Sequence, residues 1–180
     1  MEVVECTCLT LPGLKLVHPR VFADERGFFL ESFHSARYAE QGIEEPFVQD
    51  NHSYSTRGCI RGMHFQSTPG QGKLVRVVSG KIFDVAVDIR PASPTFGLWE
   101  GVFLDGQSHS QLWIPVGFAH GFCVLSDHAH VLYKVTSSYN PVTERGFRWD
   151  DPTVGIDWPM AHPIISERDQ TAPSFSQIFL

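Results

Sequence analysis

The sequence predicts an all-β protein, a sandwich or barrel in which some strands are buried on both faces. Three observations predict it. Short runs rich in β-branched and aromatic residues recur along the chain, and turn residues separate them. Pro91, Pro94, Pro115, Pro141 and Pro152 fall in the intervals and deny them long helices.

In chain order, Cys6-Thr7-Cys8 reads as strand residues near an exposed terminus, since no second pair completes a metal site. A short helix is expected around His34 to Gln41, stopped by Gly42 as a C-terminal cap. Lys73-Leu74-Val75-Arg76-Val77-Val78 is a strand that meets the turn pair Ser79-Gly80, and Lys81 to Ile89 follows at once. Those two runs are expected to form a hairpin. Gln111 to Ile114, Gly121 to Leu125 and His130 to Val135 read as three further strands.

Composition bounds the function. A chain of 180 residues with 42% hydrophobic and 12% aromatic content, and no repeat or linker, is read as one globular domain over 1–180. The formal charge of -6 argues against a general nucleic-acid binder, while leaving room for an arginine- and lysine-lined pocket that takes one phosphorylated ligand. No apolar run approaches the roughly 20 residues that span a bilayer. The acidic start, Met1-Glu2-Val3-Val4-Glu5, has no signal-peptide pattern, so a cytoplasmic protein with four reduced cysteines is expected.

Polar residues inside β-runs carry the chemical information, because burying them costs free energy unless they bond or react. In Arg61-Gly62-Met63-His64-Phe65-Gln66, strict alternation puts Arg61 on the face opposite His64. A bulge at Gly62 would bring both to one side. Taken alone, His64 reads more readily as a structural histidine than as a base. Lys73 reads as a solvated strand end, and Tyr133, on the face of Val131 and Val135, as a core aromatic with a satisfied hydroxyl. His128-Ala129-His130 has the spacing of two metal ligands on a strand, but no third ligand is apparent and His120 stands isolated, so no metal is assigned. A serine-hydrolase elbow is absent.

Together these stretches, with Phe22-x-Asp24-x-Arg26-Gly27-x-Phe29-x-Glu31, Phe47-Val48-Gln49-Asp50-Asn51, Gln71-Gly72-Lys73, Phe83-Asp84-Val85-Ala86-Val87-Asp88, Ser93-Pro94-Thr95-Phe96-Gly97, Leu112 to Phe122 and Trp149-Asp150-Asp151-Pro152, change that reading. In this order, from about Phe22 to Pro173, the chain resembles the dTDP-4-dehydrorhamnose 3,5-epimerases, cupin-like jelly-roll proteins. The resemblance implies an isomerase of dTDP-L-rhamnose biosynthesis that uses no cofactor. Its substrate is a dTDP-linked 4-dehydro-6-deoxyhexose. It implies His64 as base and Tyr133 as acid, Asp169 as the carboxylate that orients His64, and Lys73, helped by His120, at the developing oxyanion.

By the same match, Arg26, Arg61 and Arg168 suit the diphosphate. Glu31, Gln49, Asn51 and Glu144 suit the thymidine or sugar, and Tyr139 the thymine face. A homodimer is implied. Met63, Phe65 and Arg168 depart mildly from the family's common leucine, tyrosine and lysine. The alternatives are a relative acting at carbon 3 or carbon 5 alone, a non-catalytic sugar-nucleotide-binding jelly roll, and a metal-dependent cupin enzyme.

Overall fold

The computed structural model describes residues 3–180. It is a cupin-like jelly roll: two antiparallel sheets face one another, with a separate two-stranded ribbon and three short helices. Strands β1 (Val4–Cys8), β2 (Lys15–Pro19), β5 (Gln49–Thr56), β7 (Lys73–Ser79), β10 (Gln111–Ile114) and β12 (His128–Val135) form one sheet in the order β1-β2-β10-β7-β12-β5. The facing sheet runs β13 (Glu144–Gly146), β6 (Cys59–Gln66), β11 (Phe118–Val124), β8 (Lys81–Asp88), β9 (Trp99–Asp105), and β14 (Ile164–Ile165) pairs with β6. The ribbon is β3 (Val21–Asp24) with β4 (Gly27–Leu30).

Period-two alternation explains the core. From β8, Ile82 and Ala86 point between the sheets, where they meet Val75, Val77, Leu104, Leu112, Ile114, Val124 and Val131. Its alternate residues Phe83, Val85 and Val87 pack under the C-terminal segment with Phe147 and Phe175. Both faces of β8 are therefore buried, as its nearly unbroken apolar run implies. On the outer face of the first sheet, Tyr38 and Ile43 cluster with the strand residues Val17, Leu74 and Trp113.

The helix α1 spans Ser35–Glu40, between His34 and Gln41, and Gly42 follows at φ +72°. The expected hairpin is corrected. β7 and β8 lie in different sheets, and the Ser79-Gly80 turn carries the chain across the sandwich. A turn signal marks where the chain reverses; β7 instead pairs with β10 and β12, and β8 with β9 and β11. Cys6 and Cys8 lie on β1 as free thiols. Among the described residues, no helix is long and apolar enough to cross a membrane.

Candidate active site

Between the two sheets opens a cleft of about 610 Å³. Its lining takes His64 and Arg61 from β6, His120 from β11, Lys73 from β7, Tyr133 from β12, and Arg168 and Asp169 from α2 (Glu167–Gln170). His64 and Tyr133 thus come from opposite sheets.

The bulge at Gly62 is present. His120 pairs with His64 and Phe122 with Arg61, so two residues on β6 oppose one on β11, and both Arg61 and His64 reach the cleft. Only glycine fits the position. Its φ is +130°, and a Cβ there would lie 2.6 Å from the Gly121 Cα and 2.9 Å from the His120 carbonyl oxygen.

His64 Nε2 lies 2.7 Å from Asp169 Oδ1, and the Gly62 N–H donates to Oδ2 of the same carboxylate at 3.3 Å. Burial pushes the Asp169 carboxyl up, but the hydrogen bond and charge of His64, with the Gly62 and Ser166 contacts, outweigh it and hold the group below its ordinary value. With Nε2 bonded to the carboxylate, Nδ1 is the nitrogen left to take or release a proton. Across the cleft, burial raises the Tyr133 phenol despite the lowering effect of Arg61. It is therefore protonated at neutral pH and able to act as an acid.

Lys73 is buried, and its ammonium makes no hydrogen bond or ion pair with any described residue. Burial lowers its amine to about 8, against the raising effects of Asp84 and Glu144. His120 Nε2 is held by Asp84, at 2.9 and 3.1 Å from the two carboxylate oxygens. Burial lowers the His120 imidazole more than Asp84 raises it.

Beside the cleft, a smaller cavity of about 150 Å³ shares His64, Lys73 and Tyr133 and adds Gln49, Asn51, Tyr139 and Glu144. These polar groups are organised by one another. Gln49 Nε2 donates to Asn51 Oδ1 at 2.8 Å, the Tyr139 N–H to Gln49 Oε1 at 3.0 Å, and the Tyr139 hydroxyl to Glu144 at 3.0 Å. Arg168 pairs with Glu144 at 2.9 Å. Arg61 Nε donates to Ser55 Oγ at 2.8 Å.

Two residues of the expected set lie elsewhere in the single chain. Arg26 sits at the turn of the β3–β4 ribbon, paired with Asp24, and lines a surface hollow with Phe28 and Phe29. Glu31 is bound by Arg37 of α1. His128 and His130 face away from the cleft, against Tyr54 and His52. Among the described residues no three His, Cys, Asp or Glu side chains are grouped to hold a metal.

Sequence reasoning missed one residue that lines the cleft and one buried behind its His120. Ser53 shares a face of β5 with Gln49 and Asn51 and has a buried hydroxyl without a hydrogen-bond partner. Asp84 is a charged residue inside an apolar strand, a signal already applied to His64 but not to β8.

Residues 8–177 match the family model described as dTDP-4-dehydrorhamnose 3,5-epimerase. The chain belongs to that family. It is 52% identical to a dTDP-4-dehydrorhamnose 3,5-epimerase of Shigella flexneri, over 92% of each protein. It is also 52% identical to one of Neisseria gonorrhoeae, over 93% of the chain, although the match covers only 51% of that protein's length. The crystal structure of a Legionella pneumophila epimerase in complex with dTDP-4-keto-L-rhamnose superposes with a TM-score of 0.95 at 48% identity, covering 97% of this chain and 94% of that one. Family members of this kind are isomerases.

Proposed function

We propose that this protein converts dTDP-4-dehydro-6-deoxy-D-glucose to dTDP-4-dehydro-L-rhamnose, inverting carbons 3 and 5 of the sugar. One observation carries the reading. A histidine backed by a carboxylate and a protonated phenol approach the same cleft from opposite sheets, and a lysine whose ammonium has no partner among the described residues lines it with them.

Carbons 3 and 5 both flank the 4-ketone. His64 takes the proton of one C–H bond, and the electron pair passes through the ring carbon onto the carbonyl oxygen. The Lys73 ammonium faces the resulting enolate charge, which a fixed cation in a partly desolvated cleft stabilises better than water does. Tyr133 then donates its phenolic proton to the opposite face of the same carbon, and solvent restores the proton balance. No electron carrier is called for, because the carbon keeps its oxidation state. Asp169 holds His64 in the orientation that presents Nδ1.

Arg61 and Arg168 fit the diphosphate, being exposed guanidinium groups along the cleft. Tyr139 fits the thymine face, and Gln49, Asn51 and Glu144 its polar edges or the sugar hydroxyls. Turnover in deuterated water tests the assignment. Label enters at both carbons if the reading holds, and label at only one would reduce the protein to a single-position epimerase.

The positions of Arg26 and Glu31 favour a homodimer. The β3–β4 ribbon exposes Phe22, Phe28 and Phe29, the last 69% accessible, and an isolated two-stranded ribbon is marginal by itself. In this reading the ribbon of one copy brings Arg26 and Glu31 to the cleft of the other. Mixing inactive Arg26→Ala and His64→Ala proteins then restores about a quarter of parental activity, since half the dimers are mixed and each mixed dimer has one intact site. No recovery after subunit exchange would refute the shared site. The remaining assignments are one domain over 1–180 and a cytoplasmic location, the compartment in which nucleotide sugars and free thiols are both stable.

A further inference from the structure

The strand β5 alternates along its whole length. Asp50, His52, Tyr54 and Thr56 are exposed, and Gln49, Asn51, Ser53 and Ser55 face inward. Inward positions are ordinarily aliphatic, as on the neighbouring β12, where Ala129, Val131 and Val135 are buried. Polar side chains in such positions cost free energy unless each is bonded.

Three members of the row are bonded. Gln49 Nε2 donates to Asn51 Oδ1, the Tyr139 N–H donates to Gln49 Oε1, and Ser55 Oγ accepts from Arg61 Nε at 2.8 Å. Ser53 differs. Its hydroxyl is the one buried side-chain nitrogen or oxygen without a hydrogen-bond partner among the described residues. It lines the main cleft with Arg61, His64 and Tyr133.

The groups beside that hydroxyl define what it can meet. Arg61 reaches over from β6 and is tied to β5 twice, by Ser55 Oγ and by the Tyr54 carbonyl at 3.3 Å, the two positions that follow Ser53. Its Nη1 keeps no partner among the described residues. Asp169, the carboxylate lining the same cleft, is taken up by His64 and the Gly62 N–H. A serine O–H and a guanidinium fork therefore share one side of the cleft, with no protein acceptor for either. An oxygen group with several lone pairs and a negative charge satisfies both, which is the chemistry of phosphate. Along β5, Ser53 is one two-residue step, about 7 Å, from Asn51, whose cross-strand partner is Tyr133. That step matches the reach from the far carbons of a pyranose, through its anomeric oxygen, to the phosphorus that carries the sugar.

We propose that Ser53 is a substrate-binding residue whose hydroxyl donates to the sugar-linked phosphate of the dTDP-sugar, beside Arg61. The inference rests on the reading of this cleft as a dTDP-sugar site. It gives the buried hydroxyl a partner that arrives only with the ligand. Proton transfer at carbons 3 and 5 leaves the phosphate unchanged. The bond therefore contributes equally before and during the reaction, and acts on KM rather than on kcat.

Ser53→Ala in the full chain tests this, with thymidine, dTMP and dTDP as probes in titrations followed by protein NMR shifts. Loss of a donor to a charged oxygen weakens dTDP about tenfold or more, while thymidine and dTMP stay within about twofold of the parent. KM for the dTDP-sugar rises by a similar factor, and kcat at saturation stays within about threefold. Without ligand the variant melts at or above the parental temperature, because the hydroxyl it loses has no protein partner. A loss shared by thymidine or dTMP places the serine elsewhere along the nucleotide. An unchanged dTDP affinity leaves it without a ligand, and a lower melting temperature shows that the hydroxyl works within the protein. Each of these results overturns the proposal. The two readings fail separately: a parent that does not bind dTDP removes the nucleotide-sugar site, whereas a parent that binds dTDP no better than Ser53→Ala removes only the role of the serine.

Discussion

The inward faces of the same strands build two regions of opposite character. In the aliphatic interior, Ile82, Leu104, Leu112, Ile114 and Val124 are essentially inaccessible and close-packed. In the cleft, β6 contributes His64, β7 Lys73, β11 His120 and β12 Tyr133. The two regions interleave on single strands: Lys73 lies on the face of Val75 and Val77, Asp84 on that of Ile82, and Tyr133 on that of Val131. The site is therefore made by placing polar groups in core positions, and at those positions chemistry and stability oppose each other.

Substitutions on either side of that boundary sharpen the contrast. The largest effect is expected for His64→Ala. Loss of the base lowers turnover about a thousandfold or more, while calorimetry finds dTDP affinity within about threefold of the parent. Full activity in this variant would remove His64 from the mechanism.

Ile82→Ala should do the reverse. Emptying a fully buried aliphatic site costs about 2–5 kcal/mol in denaturant unfolding, with activity per folded molecule close to that of the parent. A loss of activity without a loss of stability would mean that the two regions are not separable.

Lys73→Met crosses the boundary, and its stability effect has the opposite sign. Burial lowers the lysine from 10.5 to about 8 in the folded protein. Below about pH 8 both folded and unfolded chains hold the proton, and the penalty of burying the charge is fully present. Between about 8 and 10.5 the unfolded chain binds more protons, so the penalty is relieved as pH rises. The methionine variant is expected to be more stable at pH 7, by an amount on the order of 3 kcal/mol at most. That advantage should fade towards about pH 10.5, and the variant should be inactive throughout. Unfolding curves at pH 7 and pH 10 check it; a variant less stable than the parent at neutral pH would contradict the assigned cost of the buried ammonium.

Much of this was legible from local pattern. Alternation located β7, β10 and β12 and put Tyr133 on the face of Val131 and Val135. Gly42 marked the end of α1, and Gly62 marked the bulge that turns Arg61 and His64 to one side. The resemblance named the cleft residues, and most of them converge: His64, Lys73, His120, Tyr133, Arg61, Arg168 and Asp169 line the main cleft, and Gln49, Asn51, Tyr139 and Glu144 the adjoining cavity. Arg26 and Glu31 do not join them within one chain.

What the sequence by itself determined is what a single strand or turn determines: where the backbone extends, which side chains share a face, and where only glycine permits a bend. These follow from the two-residue repeat of an extended chain and from local sterics. The tertiary structure alone decided which strands are neighbours. It sent β7 and β8 into different sheets, and it brought Asp169 to His64 across a separation of 105 residues. It also set Asp84 behind the His120 of the cleft. Pairing of that kind depends on competition among all strand edges and on packing between the sheets, and neither is written in the periodicity of any one segment.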